Sequence, residues 1–337
     1  MELIVEGPGV FVGKHQGRLR VSKDKAVVEE APLIHLKQVL LVGSGVGISS
    51  DAVRACGEEG IPIHFLSGTG AAVAGLYAAG LTGTVATRRA QLLVYLDERG
   101  LALARSFVVG KLENQANLLR YMAKYRKDAY PELYRELELR VLEVRDGLGA
   151  IGRIHAATVE GARDQLLGIE GNAAACYWRA VALVVPESLD WPGRLTRGAT
   201  DPLNSALNYG YGVLYAQVEH ALVLAGLDPY AGFLHADRPG KPSLVLDLIE
   251  EFRQTVVDRT VIGLVNRGMA ISLDNEGRLI DTVRRRLAEK VLERLAATEL
   301  YEGKRRVLRH ILQSQARHLA TFMRGEHAAY DPFIAGW

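Results

Sequence analysis

Apolar and polar positions change rhythm near residue 85. Before it, apolar residues come in short runs, Glu2 to Glu6, Val10 to Lys14, Arg18 to Ser22 and Ala26 to Glu30, separated by Gly-Pro-Gly, His-Gln-Gly and Lys-Asp-Lys turns. Brief runs bounded by turn residues read as strands. Leu36 to Val42 is a stronger strand, Ser49 or Ser50 caps a short helix to about Glu59, Ile61 to Leu66 is another strand, and Gly68 to Gly75 turns the chain. From about Arg88, apolar residues recur at three and four, as on one face of a helix. The spacing predicts helices over 88–96, 102–126, 131–145, 150–168, 203–225, 243–267, 278–297 and 301–323. Pro186, Trp191, Pro192 and Gly193 break helicity before Asp201-Pro202 starts the next helix. The pattern predicts an α+β protein: a small β-rich domain over 1–85 and a larger, mainly α-helical domain over 86–337.

Composition sharpens this picture without redirecting it. The chain is 48% hydrophobic and 24% charged, enough to bury a substantial core. Its net charge of +2, from 41 basic and 39 acidic residues, names no partner by itself, because nucleic-acid binding leaves a local cluster rather than a total. Cys56 and Cys176 are too few and too far apart for a disulfide framework or a paired-cysteine metal site. The start, MELIVEGPG, lacks the basic and apolar segments of a secretory signal, and the longest apolar runs fall short of a membrane span, so a cytoplasmic location and no membrane partner are expected. Gly43, Gly45 and Gly47 resemble a dinucleotide loop only superficially. Their spacing is GxGxG rather than GxGxxG, so a tight strand-to-helix turn is the better reading and no nucleotide cofactor is expected.

The chemically suggestive stretch is GFLHADRPGKPSLVLDLIEEFRQTVVDR. His235 sits in a loop kept irregular by Pro239, Gly240 and Pro242, and Asp247 and Glu250 follow three apart on one helix face, with Glu251 on the same broad side. Carboxylates held together resist joint ionisation unless a cation neutralises them. Magnesium or manganese suits such oxygen-rich ligands, and an imidazole can join them. The same spacing also suits ordinary solvated helix acids. Glu170, in GIEGNAAACYW, stands between Gly168 and Gly171 at an expected helix interruption, where small residues let another segment approach. Spacing does not establish that it meets His235, and pairing with an arginine is equally open.

Basic residues form local groups. Arg88, Arg89, Arg105, Lys111 and Arg120 lie near the domain junction, Arg238 and Lys241 beside His235, and Arg284, Arg285 and Arg286 form a triplet. Lys304, Arg305, Arg306, Arg309, His310, Arg317 and His318 are expected along the final helix, a strip that suits phosphates as well as it suits plain solvation. Asn204, Asn208, Tyr209, Tyr211 and Tyr215 give one helix an unusual polar aromatic content, fit either to edge a core or to contact DNA ends.

Taken with SGVGISSDAVRACGEEGIPIHFLSGTGAAVAG, LLGIEGNAAACYW, DPLNSALNYGYGVLYAQVEHAL and LDPYAGFLHADRPGKPSLVLDLIEEFRQTVVDR, the chain resembles, over essentially its whole length, the CRISPR-associated spacer-acquisition endonuclease, the integrase subunit of the adaptation complex. That resemblance implies an amino-terminal β domain for dimerisation and for DNA and partner contacts, ahead of a helical catalytic domain. It implies a homodimer working with a small second adaptation protein on double-stranded DNA with free 3′-hydroxyl ends and on CRISPR leader–repeat DNA. The reaction it implies is metal-dependent (Mg2+ or Mn2+) transesterification, with cleavage when water replaces the hydroxyl. Carried across, it points to Glu170, His235 and Glu250 as catalytic metal ligands, Glu250 standing where many relatives have aspartate. Asp247, Arg238, Lys241, Asn204 and Tyr211 are then expected to support the site, and Arg88, Arg284, Arg285, Lys304, Arg305 and Arg306 to bind DNA. A stand-alone metal-dependent nuclease and a non-catalytic DNA-binding scaffold are the competing readings.

Overall fold

The computed structural model describes residues 1–78 and 84–336. A β-rich amino-terminal part precedes a larger helical part, the α+β organisation that the change of rhythm predicts. The chain folds into two compact units: Met1–Thr82 with Thr196–His220 and Ile271–Lys290, and Gly83–Leu195 with Ala221–Ala270 and Val291–Trp337. Each unit therefore gathers separate stretches of chain.

In the first unit the chain runs through β1 (Glu2–Glu6), β2 (Val10–His15), β3 (Arg18–Lys23), β4 (Ala26–Pro32), β5 (Gln38–Val42), β6 (Gly47–Ile48), α1 (Ser50–Glu58), β7 (Ile63–Leu66) and β8 (Ala72–Leu76). Two four-stranded sheets result, ordered β1-β5-β7-β8 and β4-β3-β2-β6. Strands β1, β5 and β7 are parallel and β8 returns antiparallel, so the region expected as a plain turn over Gly68 to Gly75 contains a strand. Its run of small residues carries too little apolar contrast to show the alternation. The Ser49 hydroxyl caps α1 by accepting the Ala52 amide at 3.1 Å. Gly43 and Gly45 take the left-handed conformation at φ +81° and +79°, which makes the glycine-rich stretch a tight connection. It opens one βαβ unit, β5–α1–β7, which ends at the antiparallel β8. Alternate residues Leu3, Val5, Val39, Leu41 and Ile63 share a core with Val12, Leu19 and Val21 of the second sheet and with Ala52 and Cys56 of α1.

The helical segments that follow are α2 (Thr84–Val94), α3 (Glu98–Lys124), α4 (Pro131–Gly152), α5 (Val159–Ala182), α6 (Pro202–Leu224), α7 (Ser243–Ile249), α8 (Arg259–Asn266), α9 (Asp281–Ala296) and α10 (Leu308–Met323), with strands β9 (Thr298–Tyr301) and β10 (Lys304–Val307) ahead of the last. Three expectations change here. The helix predicted over 150–168 is the end of α4 and the start of α5, separated by residues 153–158. The helix predicted over 243–267 breaks after Ile249 and continues as a π-helix, Arg253–Asp258, before α8. The final helix starts at Leu308, because Glu302 and Gly303, at φ +49° and +73°, make a two-residue hairpin turn between β9 and β10.

The start of α6 belongs to the first unit and meets the sheet-edge loops there. Asp201 caps it by accepting the Asn204 amide at 2.9 Å, and Gln217 Nε2 donates to Gln38 Oε1 at 2.6 Å. At Gly212 the helix touches the Gly70 carbonyl so closely that a Cβ would fall onto the oxygen. Backbone on both sides leaves nothing flexible to yield. Gly212→Ala should therefore cost about 3 kcal/mol through overpacking, read as a lowered melting temperature. An unchanged melting temperature would refute this tight contact.

Candidate active site

The loop ahead of α7 is clamped from three directions, all within the second unit. Gln91 on α2 donates Nε2 to the Asp228 and Ala231 carbonyls and accepts the Asp228 amide, at 2.8–2.9 Å. Arg163 on α5 donates to the Phe233 and Leu234 carbonyls, each at 3.1 Å. Asp247 on α7 is fully buried and accepts the amides of Phe233, Leu234 and His235 at 2.6, 3.1 and 2.9 Å. The His235 ring meets it through Nδ1, 2.8 Å from Oδ1. A carboxylate already accepting three amides offers only acceptor capacity, so Nδ1 donates and the neutral ring carries its lone pair on Nε2. The imidazole is thereby fixed in both tautomer and direction.

Glu250 follows where α7 ends. Its carboxylate is 4% exposed and lies 2.8 Å from Lys111 Nζ through Oε2 and 3.2 Å from Arg253 Nε through Oε1. The same Lys111 ammonium, carried by α3, also pairs with Glu170 Oε1 from α5. Two carboxylates distant in sequence thus meet at one cationic point. Burial opposes charge on Glu250, but Arg253, Lys111 and His235 outweigh it and hold its carboxyl down at about 2. Burial opposes charge on Lys111 too, and Glu250 and Glu170 outweigh it to raise the ammonium's pKa. Glu250 Oε2 is buried yet lacks a well-directed hydrogen bond, despite the nearby ammonium.

Glu170 does not stand at a helix interruption. Helix α5 runs unbroken through it, since a buried face of Ala162, Leu166, Ala173, Tyr177 and Ala180 outweighs the propensity cost of two glycines, about 1 kcal/mol each. Gly168 and Gly171 are exposed, and a Cβ at either would meet nothing within 4 Å. They leave bare helix surface beside Glu170.

Glu251 is fully buried and faces the carboxy-terminal segment. It accepts the Tyr330 hydroxyl at 2.7 Å, the Phe333 amide at 2.8 Å and Gln315 Nε2 at 3.3 Å. Asn114 on α3 completes the seam, donating to the Glu251 and Phe333 carbonyls and accepting the Ala335 amide.

The remaining sequence-predicted residues lie in varied settings. Arg238 and Lys241 face each other across a short bridge in the His235 loop, Arg238 exposed and Lys241 partly so. Asn204 and Tyr211 are buried in the first unit, Asn204 with its amide on Asp201 at 2.8 Å. In that unit Arg284 is largely buried, pairing with Asp281 and lying 4.0 Å from Glu6, while Arg285 pairs with Glu29 and Glu289. Arg88 is exposed on α2. Lys304, Arg305 and Arg306 lie exposed on β10 and not on the final helix, and Arg306 covers the Tyr301 ring at 5.5 Å.

Among the described residues, no three histidine, cysteine or carboxylate side chains stand close enough together to hold a metal ion. Between Glu170 and Glu250 the position is taken by Lys111. Spacing had placed Lys111 only in a basic group and passed over Gln91 and Arg163. Arg253, three residues from Glu250, was the one readable partner.

The family described as CRISPR associated protein Cas1 matches residues 3–319. A CRISPR-associated endonuclease Cas1 of Archaeoglobus fulgidus is 38% identical and covers 100% of both chains. Among solved structures, a casposase bound to its integration product superposes with a TM-score of 0.83 at 25% identity, over 98% of this chain and 92% of that one. A Cas6-RT-Cas1–Cas2 complex chain matches with a TM-score of 0.78 at 22% identity, over 99% of this chain and 36% of its own length, a likeness of fold. Among the described residues no helix is long and apolar enough to cross a membrane.

Replacing Asp247 with alanine would orphan three buried amides and free the His235 ring. The loss should be about 3–5 kcal/mol, measured by urea unfolding. A loss below about 1 kcal/mol, the range of a surface ion pair, would show that the loop is held by its other clamps.

Proposed function

The chain belongs to the Cas1 family of CRISPR-associated endonucleases, and from that premise we propose that Glu170, His235 and Glu250 are the side chains that carry its DNA-joining chemistry. As a member it is a metal-dependent DNA endonuclease and integrase of spacer acquisition. The observation supporting the residue assignment is the meeting of Glu170 and Glu250 at one cationic point, beside a histidine whose ring is fixed by Asp247.

The donor set fits a divalent cation. Two carboxylates and the outward imidazole nitrogen are ligands that Mg2+ or Mn2+ accepts, and the buried Glu250 Oε2 lacks a well-directed donor. When bound, such an ion polarises the phosphoryl oxygen and stabilises the oxyanions of attack and departure. The protein's own part is placement. Asp247 keeps the His235 lone pair on Nε2, Arg253 holds Glu250 ionised, and the bare surface at Gly168 and Gly171 admits a strand against α5. Arg238 and Lys241, on the same loop as His235, are placed to neutralise a scissile phosphate. In the joining step a 3′-oxygen forms a bond to phosphorus, the existing phosphodiester P–O bond breaks, and the departing 3′-oxygen takes up a proton. No nucleotide energy source is consumed.

The relatives' assemblies suggest the partners. A chain that matches this one occurs in a Cas6-RT-Cas1–Cas2 complex, and we assign this protein a homodimer working with a small Cas2-like protein on leader–repeat DNA. The exposed Lys304, Arg305 and Arg306 on the β9–β10 hairpin supply phosphate contacts in this reading, as does Arg88 on α2.

Glu170→Ala and His235→Ala should each lower joining of a 3′-hydroxyl fragment to leader–repeat DNA by about a hundredfold or more, with Mn2+ and the partner present. Wild-type rates in either variant would remove that residue from the chemistry, and cleavage without joined product in the wild type would favour a stand-alone nuclease. Arg305→Ala with Arg306→Ala should weaken DNA binding and flatten its salt dependence by about one logarithmic unit per lost phosphate contact. An unchanged slope would sink the hairpin assignment.

A further inference from the structure

We propose that Lys111 is the resident counter-cation of the active site, an internal ammonium that holds Glu170 and Glu250 together and that a divalent metal must displace. The inference rests on the metal-site reading above and extends it to a residue which that reading does not use.

Lys111 contacts Glu170 Oε1 and Glu250 Oε2, one oxygen from each proposed ligand, and its side chain is only 12% exposed. Two carboxylates from different helices, 20% and 5% exposed, repel each other at close range unless a positive charge stands between them. Arg253 reaches Glu250 alone and does not bridge the pair, so the bridging falls to Lys111. A metal needs the same two oxygens. Ammonium and metal therefore exclude one another, and metal affinity is set by a competition rather than by the ligands alone. Lysine suits a place that must be vacated. Its ammonium is a compact charge on a flexible four-carbon stem, whereas a guanidinium fork would grip a carboxylate in two places. Fixed packing holds the stem's root: a Cβ at the neighbouring Gly110 would meet Pro332 at 2.8 Å and the Glu251 side chain at 3.2 Å. Helix α3 cannot shift there without disturbing the buried carboxy-terminal seam, so the stem must move instead of the helix.

The exchange is measured on the full chain with Mn2+ and Mg2+ as probes. Lys111→Met should melt lower than wild type without metal, because two carboxylates lose their counter-charge, and should bind Mn2+ about tenfold more tightly by calorimetry, because the competitor is gone. Its metal-induced rise in melting temperature should exceed that of wild type. Equal or weaker Mn2+ binding by a folded Lys111→Met, with wild type binding normally, would overturn the proposal and leave the metal site standing. Absence of Mn2+ binding in wild type would overturn both. Wild-type protein provides a second reading that needs no folded variant. Acylation of Lys111 by an amine-reactive ester, followed by peptide mass spectrometry, should accelerate several-fold on adding Mg2+ as the ammonium leaves its carboxylates. A rate unchanged or lowered under saturating metal would overturn the proposal independently.

Discussion

A carboxylate taken out of water must be compensated where it lies, and one short segment of this protein buries four of them. Asp247, Glu250, Glu251 and Asp258 are each 4% exposed or less. Each draws a different part of the second unit toward itself. Asp247 gathers the His235 loop, Glu250 draws Lys111 and Arg253, Glu251 fastens the carboxy-terminal segment, and Asp258 accepts the Tyr177 hydroxyl at 2.7 Å. A buried charge without partners costs several kcal/mol, so these demands fix loop, helix and tail more tightly than apolar packing would. Ligand placement in the active site is one product of that arrangement.

Much of this was legible in the chain before any fold was known. The strands of the first unit begin where turn residues end, and β1 matches its predicted range residue for residue. Strand β8 escaped because Ala72, Ala74 and Gly75 give no apolar contrast. In the helical part, periodicity found the segments but misjudged their joints. Glycines beside Glu170 read as an interruption, while the decisive quantity was the buried face of α5, which spacing does not weigh. Glu302-Gly303 is a hairpin signal that a basic, helix-like continuation concealed.

The site divides in the same way. Asp247 and Glu250 share a helix by local spacing, so their neighbourhood could be read directly. Glu170 came only through resemblance, and Lys111 not at all, since residues 111, 170 and 250 have no relation along the chain. Contacts of that kind depend on how α3, α5 and α7 pack, and packing is a property of many residues at once. The clamps Gln91 and Arg163 escaped for the same reason: a buried amide or guanidinium serving backbone carbonyls looks, in sequence, like any polar residue on a helix.

The π-helical stretch constrains how this protein can change length over evolutionary time. A π-turn holds one residue more than an α-turn, so Arg253–Asp258 amounts to a single-residue insertion preserved in the helix. Losing any one of these residues would restore ordinary helix geometry and leave Asp247 through Glu251 in place. Everything after it would rotate by about 100° and advance about 1.5 Å. Asp258 would swing away from Tyr177, and the buried side of α8, Val261, Ile262 and Val265, would turn off its core. Substitutions that respect size and polarity can accumulate in this segment, but a gain or loss of one codon cannot be absorbed locally.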